Sequence, residues 1–118
     1  MLKANYRIEL DFFSGQQNPS FEITKEEFKA IYEEVITLEK AEPVLFFDGL
    51  GFRGIIIFET NSTFIYIQNK IIKLETLHNV KYLKSNSDII LMAINLFKNY
   101  DIADNYKMLI EKASDEYL

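Results

Sequence analysis

The chain lacks cysteine and contains few of the residues that interrupt regular structure. Its 118 residues include four glycines, two prolines and one histidine. Without thiols the chain forms neither disulfides nor a thiolate zinc site, and a lone His78 does not build a zinc site from imidazoles. We therefore expect neither a metal nor another cofactor.

Long apolar runs are also missing. No stretch of the sequence reaches the ~18 apolar residues of a membrane span, and the charged, alternating opening segment lacks the apolar run of a signal peptide. These absences predict a cytoplasmic protein with no membrane partner. The net charge of −5 argues against a nucleic-acid partner, because phosphate contacts require a basic surface.

The length fits a single domain spanning residues 1–118, and 48% of the residues are hydrophobic, which is enough to build a core. Strict alternation over residues 2–12 predicts a half-buried strand that ends at a turn-rich segment beginning near Ser14. Residues 55–60, 63–68 and 71–76 are rich in β-branched and aromatic residues. They predict a three-stranded meander whose turns contain asparagine.

Three helices are predicted. Thr24 and Glu27 have the spacing of a capping box and open a helix from about Lys25 to Lys40. A second, almost wholly apolar helix follows Ser87, and we expect the last segment to form a third helix that covers it. The alternative is that residues 89–97 form an oligomer seam. Residues 43–54 are predicted to be a packed loop and residues 78–87 a polar connection.

These elements give the order β-α-β-β-β-α-α. Short strands in succession favour a mostly antiparallel sheet, and the amphipathic first helix needs an apolar layer to pack on. We therefore predict an α+β fold with the helices packed on one face of the sheet.

Two glycine- and proline-containing segments, FSGQQNP and EPVLFFDGLGFRG, are candidates for a binding site. Arg53 lies between two glycines, where its guanidinium can bind a carboxylate or phosphate in a bidentate manner. Ser14 and Asn18 of the other segment are the predicted neighbours of Arg53. Alternatively, these residues brace the two loops against each other. The glycine spacing formally matches GxGxxG, but it precedes a strand and opens no helix, which excludes a nucleotide site.

The same two segments resemble a motif pair, SGxxNP followed by LGxRG, of small and mostly uncharacterised bacterial and fungal proteins. The matching residues are Ser14, Gly15, Asn18, Pro19, Leu50, Gly51, Arg53 and Gly54. The sequence departs from the usual pattern at Gln16-Gln17, where the family commonly has Arg-Pro, at Phe21, which replaces a Trp, and at Phe52, which replaces a Tyr. The resemblance implies a shared fold framework more than an activity.

Charge is distributed unevenly along the chain. Residues 22–42 contain seven acids and three lysines, a net of −4, whereas residues 70–98 carry five lysines against two acids. No assembled catalytic set is recognisable, because Ser14 lacks a nucleophile elbow and His78 is the one imidazole available to it. We therefore expect a non-enzymatic protein.

The leading hypothesis is a protein-binding module, specifically an immunity protein that neutralises a basic toxin domain by direct contact. Glu26, Glu33 and Glu34 of the first helix are the candidate partner-binding residues, since acidic surfaces steer basic partners. One alternative is a merely solvated helix face. The other is a small anion- or carboxylate-binding domain or enzyme centred on Arg53.

Overall fold

The computed structural model describes residues 5–13, 18–44, 51–68 and 70–98. Six strands and two helices lie within these ranges: β1 Tyr6–Phe13, β2 Ser20–Glu22, α1 Lys25–Val35, β3 Gly51–Glu59, β4 Thr63–Gln68, β5 Ile71–Glu75, β6 Val80–Lys84 and α2 Ser87–Lys98. The strands form one antiparallel sheet in the order β2-β1-β3-β4-β5-β6. The predicted third helix lies outside the described residues.

One face of the sheet is covered by the two helices. Strand alternation sends every second side chain to this covered face, where cross-strand partners such as Ile8, Ile57 and Ile65 stand in register. The apolar stripes of both helices complete the core with Phe28, Ile31 and Val35 from α1 and Ile89, Ala93, Leu96 and Phe97 from α2. The predicted α+β class, with helices on one face of an antiparallel sheet, is confirmed.

The start of α1 follows the predicted capping box. The Glu27 amide donates to Thr24 Oγ1 at 3.0 Å, and the Thr24 amide donates to Glu27 Oε1 at 2.8 Å. These bonds satisfy backbone donors that a helix N-terminus leaves without partners. The predicted end near Lys40 is wrong, because α1 ends at Val35.

The chain leaves α1 early because residues 39–41 pair with the outer edge of the sheet. The Ala41 amide donates to the Tyr82 carbonyl at 2.8 Å, and the Lys84 amide donates to the Glu39 carbonyl at 2.8 Å. An exposed strand edge has backbone amides and carbonyls without hydrogen-bond partners. The contact with residues 39–41 gives such partners to the Tyr82 carbonyl and the Lys84 amide of β6.

The structure adds two strands to the predicted order. Residues 80–84, predicted to be a polar connection, form the edge strand β6, whose lysines are compatible with a sheet edge. The three-residue β2 follows Pro19 and is too short to show a period. The predicted loop over residues 43–54 is corrected at its end, because β3 already begins at Gly51.

Both turns of the β3-β4-β5 meander contain a residue with positive φ. Asn61 has φ 69° and fits the predicted asparagine turn, since asparagine tolerates the left-handed region. In the second turn the positive φ of 66° falls on Lys70.

Candidate functional site

The first candidate site is the outward side of α1, which we call the acidic helix face and define as Glu26, Glu33 and Glu34. All three side chains are exposed. The helical period places them away from the buried residues of the same helix, so the acidic face and the core-facing stripe occupy opposite sides of α1. The capping box fixes where the helix begins and hence the direction in which this face points.

The acidic helix face keeps a negative charge. Lys29 lies 3.9 Å from Glu33 Oε1, and the two side chains are 69% and 62% exposed. Such a solvent-exposed pair contributes little energy and restrains its partners weakly. With Lys29 included, the face carries three acids and one base, which suits a cationic surface.

The structure places one side chain of the second predicted site. The Asn18 amide Nδ2 donates to Glu9 Oε2 at 3.2 Å and is 3.5 Å from Asp11 Oδ1, both on β1. Ser14 lies outside the described residues, as does the side chain of Arg53. Whether Ser14 and Arg53 come near Asn18 therefore stays a prediction.

Asn18 connects its segment to the neighbouring strand. The residue after Asn18 also contacts β1, because the Leu10 amide donates to the Pro19 carbonyl at 2.9 Å. Two carboxylates beside Asn18 make its surroundings negative, and a bound carboxylate or phosphate would meet like charge there. These contacts join Asn18 to β1, and whether Asn18 binds an anion or braces the two loops against each other stays a prediction.

Arg53 occupies an irregular position in the backbone. Asp11 pairs with Gly54 and the next residue, Phe12, pairs with Phe52, so Arg53 is the extra residue of a β-bulge. Gly54 beside it has φ +153°, and a Cβ there would lie 2.3 Å from the Ile67 carbonyl oxygen. Glycine at position 54 is therefore required by the close approach of β4.

Sequence reasoning missed a second surface, the side of the sheet opposite the helices. We call it the open sheet face and define its centre as Ile56, Phe58, Phe64 and Tyr66, all half-buried. The rings of Phe58 and Phe64 stack at 5.4 Å between centroids, and those of Phe64 and Tyr66 at 6.0 Å. The signal was present in the sequence, because these residues alternate with the isoleucines that enter the core.

Charged groups surround the Tyr66 ring. Lys73 Nζ lies 5.6 Å from the centroid, within range of a cation–π contact. Burial raises the pKa of the Tyr66 hydroxyl above the ordinary tyrosine value, and the carboxylates of Glu75, Asp11 and Glu9 raise it further. The electrostatic environment of this hydroxyl is therefore unfavourable to an additional negative charge.

A shallow cleft of about 290 Å³ lies where α1 meets the end of the sheet. Tyr6, Phe28 and Tyr32 provide aromatic walls, with Lys25 and Lys29 also lining the cleft. The aromatic walls touch one another, with Tyr6 and Phe28 centroids 5.2 Å apart. Across the described ranges, no group of three or more His, Cys, Asp or Glu side chains is arranged to hold a metal ion.

Comparisons with models of protein families, with curated proteins and with solved structures found no match to this chain. Within the part of the chain that the structure describes, no helix combines the length and apolar character needed to cross a membrane.

Proposed function

We propose that this protein is a non-enzymatic module that binds a basic protein partner by direct contact, as an immunity protein does when it neutralises a toxin domain. The observation that carries the proposal is the acidic helix face, where three exposed carboxylates lie on the side of α1 that points away from the core. Exposed carboxylates attract a cationic surface before contact and favour one docking orientation.

The rigidity of α1 supports this role. The capping box orders its first turn, and Phe28, Ile31 and Val35 anchor the helix in the core. The carboxylates are therefore presented from a fixed backbone, which reduces the ordering cost of association. A specific complex of this kind would bury about 1,600 Å² in total.

The experiment first seeks a toxin-like basic domain encoded beside the gene for this protein and tests by copurification that the two proteins bind. Affinity and association rate are measured for the native chain and for the triple variant Glu26→Lys, Glu33→Lys, Glu34→Lys, together with protection of cells that express the toxin domain. We expect the variant to associate at least about tenfold more slowly at low salt and to lose protection, because charge steering is reversed.

The matched control reverses three other exposed acids of the same segment, Glu22→Lys, Glu39→Lys and Glu42→Lys, and so produces the same net charge. We expect this control to bind more tightly than the α1 variant, and thermal unfolding should show that both are folded. An unchanged affinity for the α1 variant would refute the proposal. Equal weakening of both variants would show that net charge alone matters and that α1 is not the binding surface.

A further inference from the structure

The open sheet face has an apolar centre where an antiparallel sheet that faces solvent usually carries polar side chains. Register places Ile56 opposite Tyr66 and Phe58 opposite Phe64, so the four side chains form a contiguous block across β3 and β4. Both described helices pack on the other side of the sheet, against the buried isoleucines. Aromatic side chains in such a block are the residues that protein interfaces use most at their centres.

Charged residues of both signs flank this block, and acids outnumber bases. The acids are Glu9, Asp11 and Glu75, and the bases are Arg7, the β1 partner of Phe58, and Lys73, the β5 partner of Tyr66. Glu9 is the β1 partner of Ile56, and Glu75 is the β5 partner of Phe64. Asp11 lies two residues beyond Glu9 on β1 and therefore on the same face of the sheet. These carboxylates also raise the pKa of Tyr66, after the larger effect of burial, as their position around the block requires.

A cation already rests on this surface. Lys73 is the β5 partner of Tyr66, and its ammonium lies 5.6 Å from the ring centroid. The contact shows that the Tyr66 ring accepts a positive charge on the open sheet face. The neighbouring ring of Phe64 is stacked 6.0 Å away and lies directly opposite Glu75. A second cation placed beside Phe64 would pair with the Glu75 carboxylate.

We propose that the open sheet face docks a partner protein through arginine or lysine side chains presented among apolar ones. The apolar parts of that surface would cover Ile56 and Phe58, while its cations would meet Glu9 and Glu75 beside the aromatic rings. Arginine suits such a site best, because its planar guanidinium stacks on rings and pairs with carboxylates at once. This docking site lies across the sheet from α1 and does not depend on the acidic helix face.

The test uses the whole chain and two synthetic peptides as probes, Ac-Leu-Arg-Leu-Arg-Leu-NH₂ and its glutamate counterpart Ac-Leu-Glu-Leu-Glu-Leu-NH₂. Backbone and aromatic NMR shifts are followed during titration. We expect the arginine peptide to shift resonances of β3, β4 and β5 around Tyr66, and the glutamate peptide to leave them in place. Equal binding of both peptides, shifts confined to α1, or no binding at millimolar peptide would overturn the proposal.

Three variants sharpen the assignment. Tyr66→Leu keeps an apolar side chain but removes the ring, and Glu75→Gln removes a charge without removing bulk. Each should weaken binding of the arginine peptide by about two- to fivefold. Leu91→Ala alters an exposed apolar residue of α2 and should leave the peptide affinity unchanged. Loss of affinity in Leu91→Ala alone would refute the assignment.

The other candidate occupant is a second copy of the chain. Sedimentation equilibrium over a range of concentrations distinguishes it from a basic partner. We expect a monomer throughout. A dimer that Tyr66→Leu abolishes would assign the open sheet face to self-association and overturn the proposal.

Discussion

The two faces of the sheet use different kinds of apolar side chain. On the covered face the central strands contribute isoleucine and leucine, each at most 4% exposed: Ile8, Leu10, Ile55, Ile57, Ile65, Ile67, Ile72 and Leu74. The open sheet face has three aromatic rings and Ile56, all half-buried and flanked by charge. Neighbouring residues of one strand therefore lie in two different environments.

The difference shows what each side chain contributes. Branched aliphatic residues fill a closed core densely and have no polar atom that needs a partner. Aromatic rings offer a large flat contact area, and tyrosine adds a hydroxyl group that can hydrogen-bond to water or to a partner. The covered face is built for stability, whereas the open sheet face has the composition of a contact surface.

The largest expected effect comes from truncating a side chain on the covered face. Ile57 is fully buried at the centre of β3, and Ile57→Ala should lower the free energy of unfolding by about 2–5 kcal/mol. The cost combines lost burial with the cavity left among well-packed neighbours. Urea denaturation followed by circular dichroism measures the change.

The matched control for this prediction is Ile56→Ala, one residue away on the open sheet face. Ile56 is half-buried, so the same truncation removes less apolar surface from its folded environment and should cost about 1 kcal/mol. Equal losses for the two variants would contradict the distinction between the faces, because they would imply equally closed packing on both sides of β3.

A smaller effect is expected at Gly54, where the backbone of β4 lies close to β3. In Gly54→Ala the new Cβ would lie 2.3 Å from the Ile67 carbonyl oxygen, which is backbone and has little freedom to move. The strained φ adds to the cost, and the variant should lose about 1–3 kcal/mol of stability. A thermal unfolding midpoint equal to that of the native chain would show that β4 shifts freely, in conflict with a rigid sheet.

The sequence was sufficient to predict the strands of the meander and the start of α1. The IIIFET and TFIYIQ segments are rich in β-branched and aromatic residues, which favour strands, and Thr24 with Glu27 forms a capping box that needs no distant partner. The edge strand β6 was not predicted, because its formation depends on residues that are distant in the sequence. Its pairing with β5 and with residues 39–41 is a tertiary contact, and its sequence, VKYLK, is short and carries two lysines.

The open sheet face was also not predicted. Alternation indicates that Phe58, Phe64 and Tyr66 lie on one side of their strands, but it does not show that β1 and β5 place carboxylates beside them. That arrangement depends on strand order and register, which a single sequence leaves undetermined. The acidic helix face was easier to predict, because its three glutamates lie within one helix.

The smallest expected effect concerns the charge environment of the open sheet face. Burial, followed by Glu75, Asp11 and Glu9, raises the pKa of Tyr66 above the ordinary tyrosine value, so folding favours the neutral phenol. The resulting stability is fully present below the ordinary tyrosine pKa of about 10 and is lost as pH rises through the folded pKa. The effect is modest because Tyr66 remains in contact with solvent, which screens the carboxylates.

NMR of ¹³C-labelled tyrosine rings separates Tyr66 from the other tyrosines and follows its titration directly. Glu75→Gln should lower the pKa of Tyr66 toward the ordinary value, because it removes the carboxylate that acts most strongly on the hydroxyl. Glu26→Gln, on the far side of the sheet, is the matched control and should leave the titration unchanged. If Glu26→Gln lowered the pKa of Tyr66 as much as Glu75→Gln does, the hydroxyl would be responding to the net charge of the protein. The electrostatic distinction between the two faces of the sheet would then be wrong.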